Sequence, residues 1–256
     1  MREHERDDAL PTSVRFLFYE LVARAIISKE KTSKRRPDQI VIDASKQLRE
    51  KGIIPWGDIV DETRVLDNYS GASSIKNALI DYLPHARLDA WGGETVLVLT
   101  ESRSLAGVLR SIAFQYRVRI ASTNGQCGGF LHTQIAPLLQ SAVASRVLYL
   151  GDFDLCGNQI ESNTRSVLEQ KVGALDWERV ALTEDQVVRY DLPRIIKTDR
   201  RYTRKSGRHE AVETEALSQR LIVELLEAKL RALLTEPLAV IEKREERQRR
   251  ALRKKI

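Results

Sequence analysis

Two apolar runs in this chain end in carboxylates. Thr95-Val96-Leu97-Val98-Leu99-Thr100 runs into Glu101, and Val147-Leu148-Tyr149-Leu150 runs into Gly151-Asp152-Phe153-Asp154. Continuous apolar runs of this kind read as strands buried on both faces. In open parallel sheets, ligands gather at the carboxyl ends of the strands. Side chains at i and i+2 of an extended segment point the same way, so Asp152 and Asp154 share a face, and Glu101 joins them if the two strands are neighbours. Carboxylates that close repel and shift each other's pKa unless a cation lies between them. Hard oxygen donors suit Mg²⁺, which keeps several waters and binds through one or two carboxylates plus a phosphate. A lone D-x-D is more often a helix cap or an exposed turn. The acid at a second strand end favours metal here, and so do Gly151 and Gly157, which would let a phosphate approach closely.

The elements that must position these acids follow from periodicity and breaks. Residues 1–10 read as a disordered, charged lead-in. Thr12 or Ser13 caps a helix in which Val14, Leu17, Phe18, Leu21, Val22 and Ala25 recur at helical spacing through about Ile27. A second helical pattern runs from Asp38 through Leu48 and is stopped by Gly52. Trp56 to Val60 opens a third short helix, and Asp61 to Leu66 reads as a short strand. Three short helices and a small strand pair predict a winged-helix domain over 11–92. Ser73 to Leu83 is a connecting helix, and Trp91-Gly92-Gly93 breaks the pattern.

The second half has an α/β rhythm. Helices are expected over Ser104–Tyr116, Leu131–Ala144 (interrupted at Pro137) and Gln159–Lys171. Further strands are expected at Val118–Ala121 and Val180–Leu182. Strand–helix alternation implies a mainly parallel, Rossmann-like sheet. Glu210 to Leu234 reads as one long amphipathic C-terminal helix with Leu217, Leu221, Leu225 and Ala228 on one face. The α/β domain is thus expected over 93–240, with a basic tail over 241–256.

Composition bounds the rest. The 256 residues suffice for one large domain or two small ones, and the formal charge is +6. Glu242 to Ile256 alone holds eight Lys/Arg and three Glu, so the remainder is nearly neutral. Such a tail suits phosphate contacts, although a charge run alone is more often a solvated helix end. No apolar run approaches the ~20 residues that span a bilayer, and the charged N-terminus has no apolar signal core. A cytoplasmic protein is expected. Cys127 and Cys156 do not make a disulfide framework. Cys127 with His132 lacks the second ligand pair a zinc site needs.

Thr100-Glu101-Ser102 after an apolar strand, followed some fifty residues later by Gly151-Asp152-Phe153-Asp154-Leu155-Cys156-Gly157, resembles the Toprim domain. Among Toprim proteins, the order of a winged-helix domain before the acidic domain resembles the A subunit of topoisomerase VI, its meiotic double-strand-break relatives and the short Mini-A forms. Val14-Arg15-Phe16-Leu17-Phe18-Tyr19 is similar to the R-x-x-[FY]-Y segment that carries the nucleophilic tyrosine there. The chain departs from the family in the loop Gly125 to Gln134, where the usual proline is absent and Gln134 stands where arginine is often found. It also has Cys156 where a third acid sometimes follows.

The resemblance implies a type IIB topoisomerase A-like DNA transesterase. Glu101 would act as general acid/base, with Mg²⁺ on Glu101, Asp152 and Asp154. Tyr19 would be the nucleophile that forms a phosphotyrosyl link. Arg15, four residues earlier on the same helix face, would grip the phosphate. On the residues alone, Tyr19 reads as a core aromatic and Arg15 equally as a surface cation. The resemblance also implies a homodimer in which Tyr19 of one protomer serves the acids of the other, and an ATPase B-type partner, since no P-loop is present. DNA contacts are expected from Lys29, Lys31, Lys34, Arg35 and Arg36, and from Arg200 and Arg201, on a nucleoid-associated protein. A metal-dependent nuclease with a structural Tyr19 and a non-catalytic DNA-binding module are the competing readings.

Overall fold

The computed structural model describes residues 1–7, 9–29, 36–60, 71–125, 127–198 and 208–256. The first ten residues were expected as a disordered lead, but they contain α1 (Arg2–Arg6), whose buried His4 bonds Glu20 through its Nε2 at 2.8 Å. Next comes α2 (Val14–Ala23), with Ser13 as its cap, the Oγ accepting from the Phe16 N–H. It stops short of Ile27, because Arg24 closes it and Ala25 takes φ 54°. α3 (Gln39–Glu50) is followed by Gly52 at φ 68°. The stretch after α3 returns to the start of α2: Thr12 N–H donates to Asp58 O, and Val60 N–H to Thr12 O. The strand expected over Asp61–Leu66 lies outside the described residues. α4 (Ile75–Tyr82) leads on to the sheet.

The α/β part has four parallel strands in the order β2-β1-β3-β4. They are β1 (Thr95–Thr100), β2 (Arg119–Ser122), β3 (Ser145–Leu150) and β4 (Asp176–Ala181). β1 and β3 are adjacent in the centre, from Thr95 opposite Ser145 to Thr100 opposite Leu150. Their side chains alternate between two apolar layers, as a buried strand requires. Val96, Val98, Leu148 and Leu150 face one layer, and Leu97, Leu99, Val147 and Tyr149 the other. The first layer is covered by α5 (Arg103–Tyr116) and by α10 (Gln219–Leu233), and it includes Phe16 from α2. The second is covered by a short α6 (Gly128–Phe130) that passes through a π turn (Leu131–Ile135) into α7 (Ala136–Gln140), and by α8 (Leu155–Val172).

Beyond β4, α9 (Glu184–Arg189) precedes a separate antiparallel ribbon of β5 (Ile195–Thr198) and β6 (Arg208–Ala211). Neither strand was expected from the sequence. The single helix expected over Glu210–Leu234 is a further correction. Arg208–Ala211 is strand, Val212 bridges Phe153, Thr214–Ala216 is a 3₁₀ turn, and α10 begins only after Ser218. Ser218 Oγ accepts from the Leu221 N–H and so fixes that start. α11 (Leu238–Arg253) carries the basic run, and its Ile241 and Glu245 are buried. Among the described residues no helix is long and apolar enough to cross a membrane.

Candidate functional site

The sheet order reverses between β1 and β3, and crevices at such a switch point are where open α/β sheets take ligands. Glu101 follows β1 directly, its N–H bonded to Leu150 O at 2.9 Å. Asp152 and Asp154 follow β3 by way of Gly151. Hydrogen bonds hold all three. Glu101 Oε2 accepts from the Asp152 N–H at 3.1 Å. Asp152 Oδ1 accepts from the N–H and hydroxyl of Thr214 at 2.9 and 3.0 Å. Asp154 is the cap of α8, its Oδ1 accepting from the Gly157 N–H at 2.7 Å. The cap reading of D-x-D therefore holds for Asp154.

The flanking glycines are required by the protein's own packing. A Cβ at Gly151 would lie 2.6 Å from the Tyr149 ring, and one at Gly157 would lie 2.5 Å from Asp152 O and 3.2 Å from Glu101 Oε2. They make room for the protein's own groups.

Two acids that the sequence reading missed complete the cluster. Glu213 and Glu215 sit in the extended step and 3₁₀ turn that replace the expected helix. Asp152, Glu213 and Glu215 are all buried, and each offers a carboxylate oxygen so placed that the three lie within 4.8 Å of one another. This trio, which could hold a metal ion, differs from the expected Glu101, Asp152 and Asp154; Cys127 and His132 are not part of it. The signal for it was present in the sequence: Glu213-Thr214-Glu215 has the same acid-x-acid spacing as Asp152 to Asp154.

Three cations answer these acids. Arg15 pairs with Glu213 and, through Nε at 3.0 Å, with Glu215. Lys29 Nζ lies 3.3 Å from Glu213 and donates to the Tyr19 hydroxyl oxygen at 2.8 Å. Lys197, on β5, lies 2.6 Å from Asp154, 3.2 Å from Glu213 and 3.8 Å from Asp152. Tyr19 and Arg15 thus stand in the acid cluster of their own chain. A cavity of about 240 Å³ is bounded by Glu101, Asp152, Lys197, Glu213 and Arg15. A second, of about 560 Å³, is bounded by Tyr19, Lys29, Arg103, Arg15 and Glu213, so Arg15 and Glu213 form the wall between the two.

The electrostatics divide the acids. Burial raises the Glu101 carboxyl to about 7, and the Asp152 charge adds to this. Burial also raises Asp152, with Glu213 adding to it, and Glu215. Burial opposes ionisation of Glu213 too, but Arg15, Lys197 and Lys29 outweigh it and hold this group at about 2. The Tyr19 phenol lies well above its ordinary value, through burial and then the Glu213 charge. Burial lowers Lys29.

A clamp supports the loop after β3. Arg179 Nη2 donates to Gly151 O at 3.0 Å and Asp152 O at 2.6 Å, Nε donates to Leu182 O at 2.7 Å, and the guanidinium pairs with Glu161.

Of the expected DNA contacts, Lys29 turns towards Tyr19 and Glu213 and borders the larger cavity. Arg36 lies 3.5 Å from Asp38 on an exposed surface. Lys31, Lys34, Arg35, Arg200 and Arg201 lie outside the described residues. The chain matches no protein-family model, no curated protein and no solved structure.

Proposed function

We propose that this chain is a Mg²⁺-dependent DNA-cleaving transesterase of the type IIB topoisomerase A-subunit kind, in which Tyr19 attacks a backbone phosphate. The observation that carries the reading is the convergence of Arg15 and Tyr19, through Glu213, on the acids at the β1–β3 switch point. The parallel sheet supports a Toprim assignment, and the α2–α3 pair with its Thr12–Ile59 bridge supports a winged-helix one.

The residues fit a divalent ion. Among the described residues, five carboxylates (Glu101, Asp152, Asp154, Glu213, Glu215) face three cations (Arg15, Lys29, Lys197). With all of them ionised, the carboxylates outnumber the cations, so the cluster has negative charge left for a further cation. Without such an ion, the raised Glu101, Asp152 and Glu215 are the response expected of crowded buried acids. Asp152, common to the converged trio with Glu213 and Glu215 and to the set implied by the resemblance, would hold the ion, with Glu101 and Asp154 as the further ligands of the proposed reaction, and the ion would supply charge neutralisation at the phosphate. Arg15 stands at the wall of both cavities, where a guanidinium opposes charge developing on a phosphate. The Tyr19 oxygen would form the bond to phosphorus while its proton passes to the Glu213 carboxylate, its hydrogen-bond partner; the bond to the sugar oxygen would break, and that oxygen would take a proton from Glu101, the general acid of the proposed reaction.

A second reading has its own support. Tyr19 is buried enough to resist ionisation, and its oxygen is held by Lys29, which suits a structural residue in a metal-dependent nuclease. Incubation with supercoiled plasmid and Mg²⁺ separates the two. The transesterase gives breaks that trap protein on the DNA, and Tyr19→Phe abolishes them. Breaks without attached protein that survive Tyr19→Phe establish the nuclease. Binding with no break in Mg²⁺ or Mn²⁺ leaves a non-catalytic DNA-binding module. A homodimer and an ATPase partner belong to the proposed assembly.

A further inference from the structure

We propose that Lys197 is a built-in competitor for the divalent ion: its ammonium occupies the cation position of the acid cluster, and the metal enters only when the β5–β6 ribbon withdraws it. This rests on the metal reading above. Carboxylates from two separate segments, Asp152 and Asp154 after β3 and Glu213 after β6, converge on the one ammonium, the closest at 2.6 Å. Asp154 is fully engaged in this state, because one oxygen caps Gly157 and the other holds Lys197. Its side chain is 2% exposed, and it does not border the cavity that Glu101, Asp152 and Glu213 share. Asp154 therefore becomes a ligand only if Lys197 leaves.

The other two cations need not move. Arg15 pairs with Glu213 and Glu215, and Lys29 with Glu213 and Tyr19. An ammonium and a divalent ion on the same carboxylates repel, so occupancy by one excludes the other. The means of withdrawal lies in the topology. β5 pairs with β6 alone, outside the parallel sheet, and a lone two-stranded ribbon has marginal stability of its own. Beyond β6, Val212 exchanges hydrogen bonds with Phe153 at 2.9 and 3.0 Å, which pins the chain before Glu213, so β5 can withdraw Lys197 while Glu213 stays in the cluster.

The test is calorimetric titration of the full-length chain with Mn²⁺. Lys197→Met is expected to bind roughly tenfold more tightly than the parent or better, since the competing charge is gone. Lys197→Arg, which keeps the charge, is expected to stay close to the parent, and Asp154→Asn placed on Lys197→Met is expected to remove the gain. If the parent binds Mn²⁺ and Lys197→Met binds it equally or less well, Lys197 is no competitor, though the metal reading stands. If no variant binds Mn²⁺, the metal reading itself fails and takes the inference with it. Circular dichroism checks folding, and Lys197→Gln replaces the methionine variant if that one does not fold.

Discussion

Glu101 and Glu213 border one cavity and are pushed in opposite directions. The difference lies in their partners: Glu213 has three cations, whereas the hydrogen bond to Glu101 comes from the Asp152 amide and the charge that acts on it most strongly is the Asp152 carboxylate. The sign of the pH dependence follows. Glu101 is raised from 4.5 to about 7, so its contribution to stability is complete below 4.5 and is lost as pH climbs through 7. Glu213 is lowered to about 2, so its contribution is present above 4.5 and is lost as pH falls towards 2. The metal-free protein is therefore expected to lose melting temperature as pH rises from 4.5 to about 7. Glu101→Gln should flatten part of that fall, leaving the share due to Asp152 and Glu215, which are raised as well. Thermal melts of both proteins across the range decide the matter; an unchanged slope in Glu101→Gln would remove Glu101 from the account. Adding Mn²⁺ to the parent should also lessen the fall, because an ion favours the charged carboxylates.

At the level of elements, the strand ends were legible and the second pair of acids was not. Thr95–Thr100 and the run into Gly151 announce buried parallel strands by unbroken apolar character, and the switch-point rule then places Glu101 and Asp152 together. Leu217 stands one helical step before Leu221, ahead of the true start of α10, so the helical pattern extends backwards over Glu213 and Glu215. Leu217 is buried, but it lies outside α10, and the buried face of that helix is Ile222, Leu226 and Leu230. The competing signs were local ones: β-branched Val212 and Thr214, and Ser218 as a cap. Gly157 shows how tightly α8 is set against the loop it follows. Gly157→Ala puts a methyl 2.5 Å from the Asp152 carbonyl oxygen and 3.2 Å from Glu101, at backbone that cannot yield cheaply. We expect a loss of about 1–3 kcal/mol in chemical denaturation, as overpacking typically gives, together with weaker Mn²⁺ binding. A neutral Gly157→Ala would mean that the loop adjusts freely and does not hold the acids in place.

At the scale of the molecule, the joining of the first helix to the sheet decides how the proposed reaction would be shared between chains. Phe16 is fully buried in the same apolar layer as Val96, Val98, Leu148 and Val212. That anchor, with Arg15 one residue before it and Tyr19 three after, turns the polar side of α2 onto Glu213 and Glu215. The family pattern shares the work otherwise, with the tyrosine of one protomer serving the acids of its partner. In this chain the network from Tyr19 through Lys29 and Glu213 to Lys197 and Asp154 closes within a single protomer. We therefore expect the proposed cleavage to work within one chain. Tyr19→Phe and Asp152→Asn should each abolish covalent trapping of DNA, and mixing the two after dissociation and reassociation should restore none, because every protomer then carries one defect. If trapping returns in the mixture, the tyrosine and the acids come from different chains. The contact between Lys29 and Tyr19 would then describe a resting arrangement from which α2 must swing out to reach the partner.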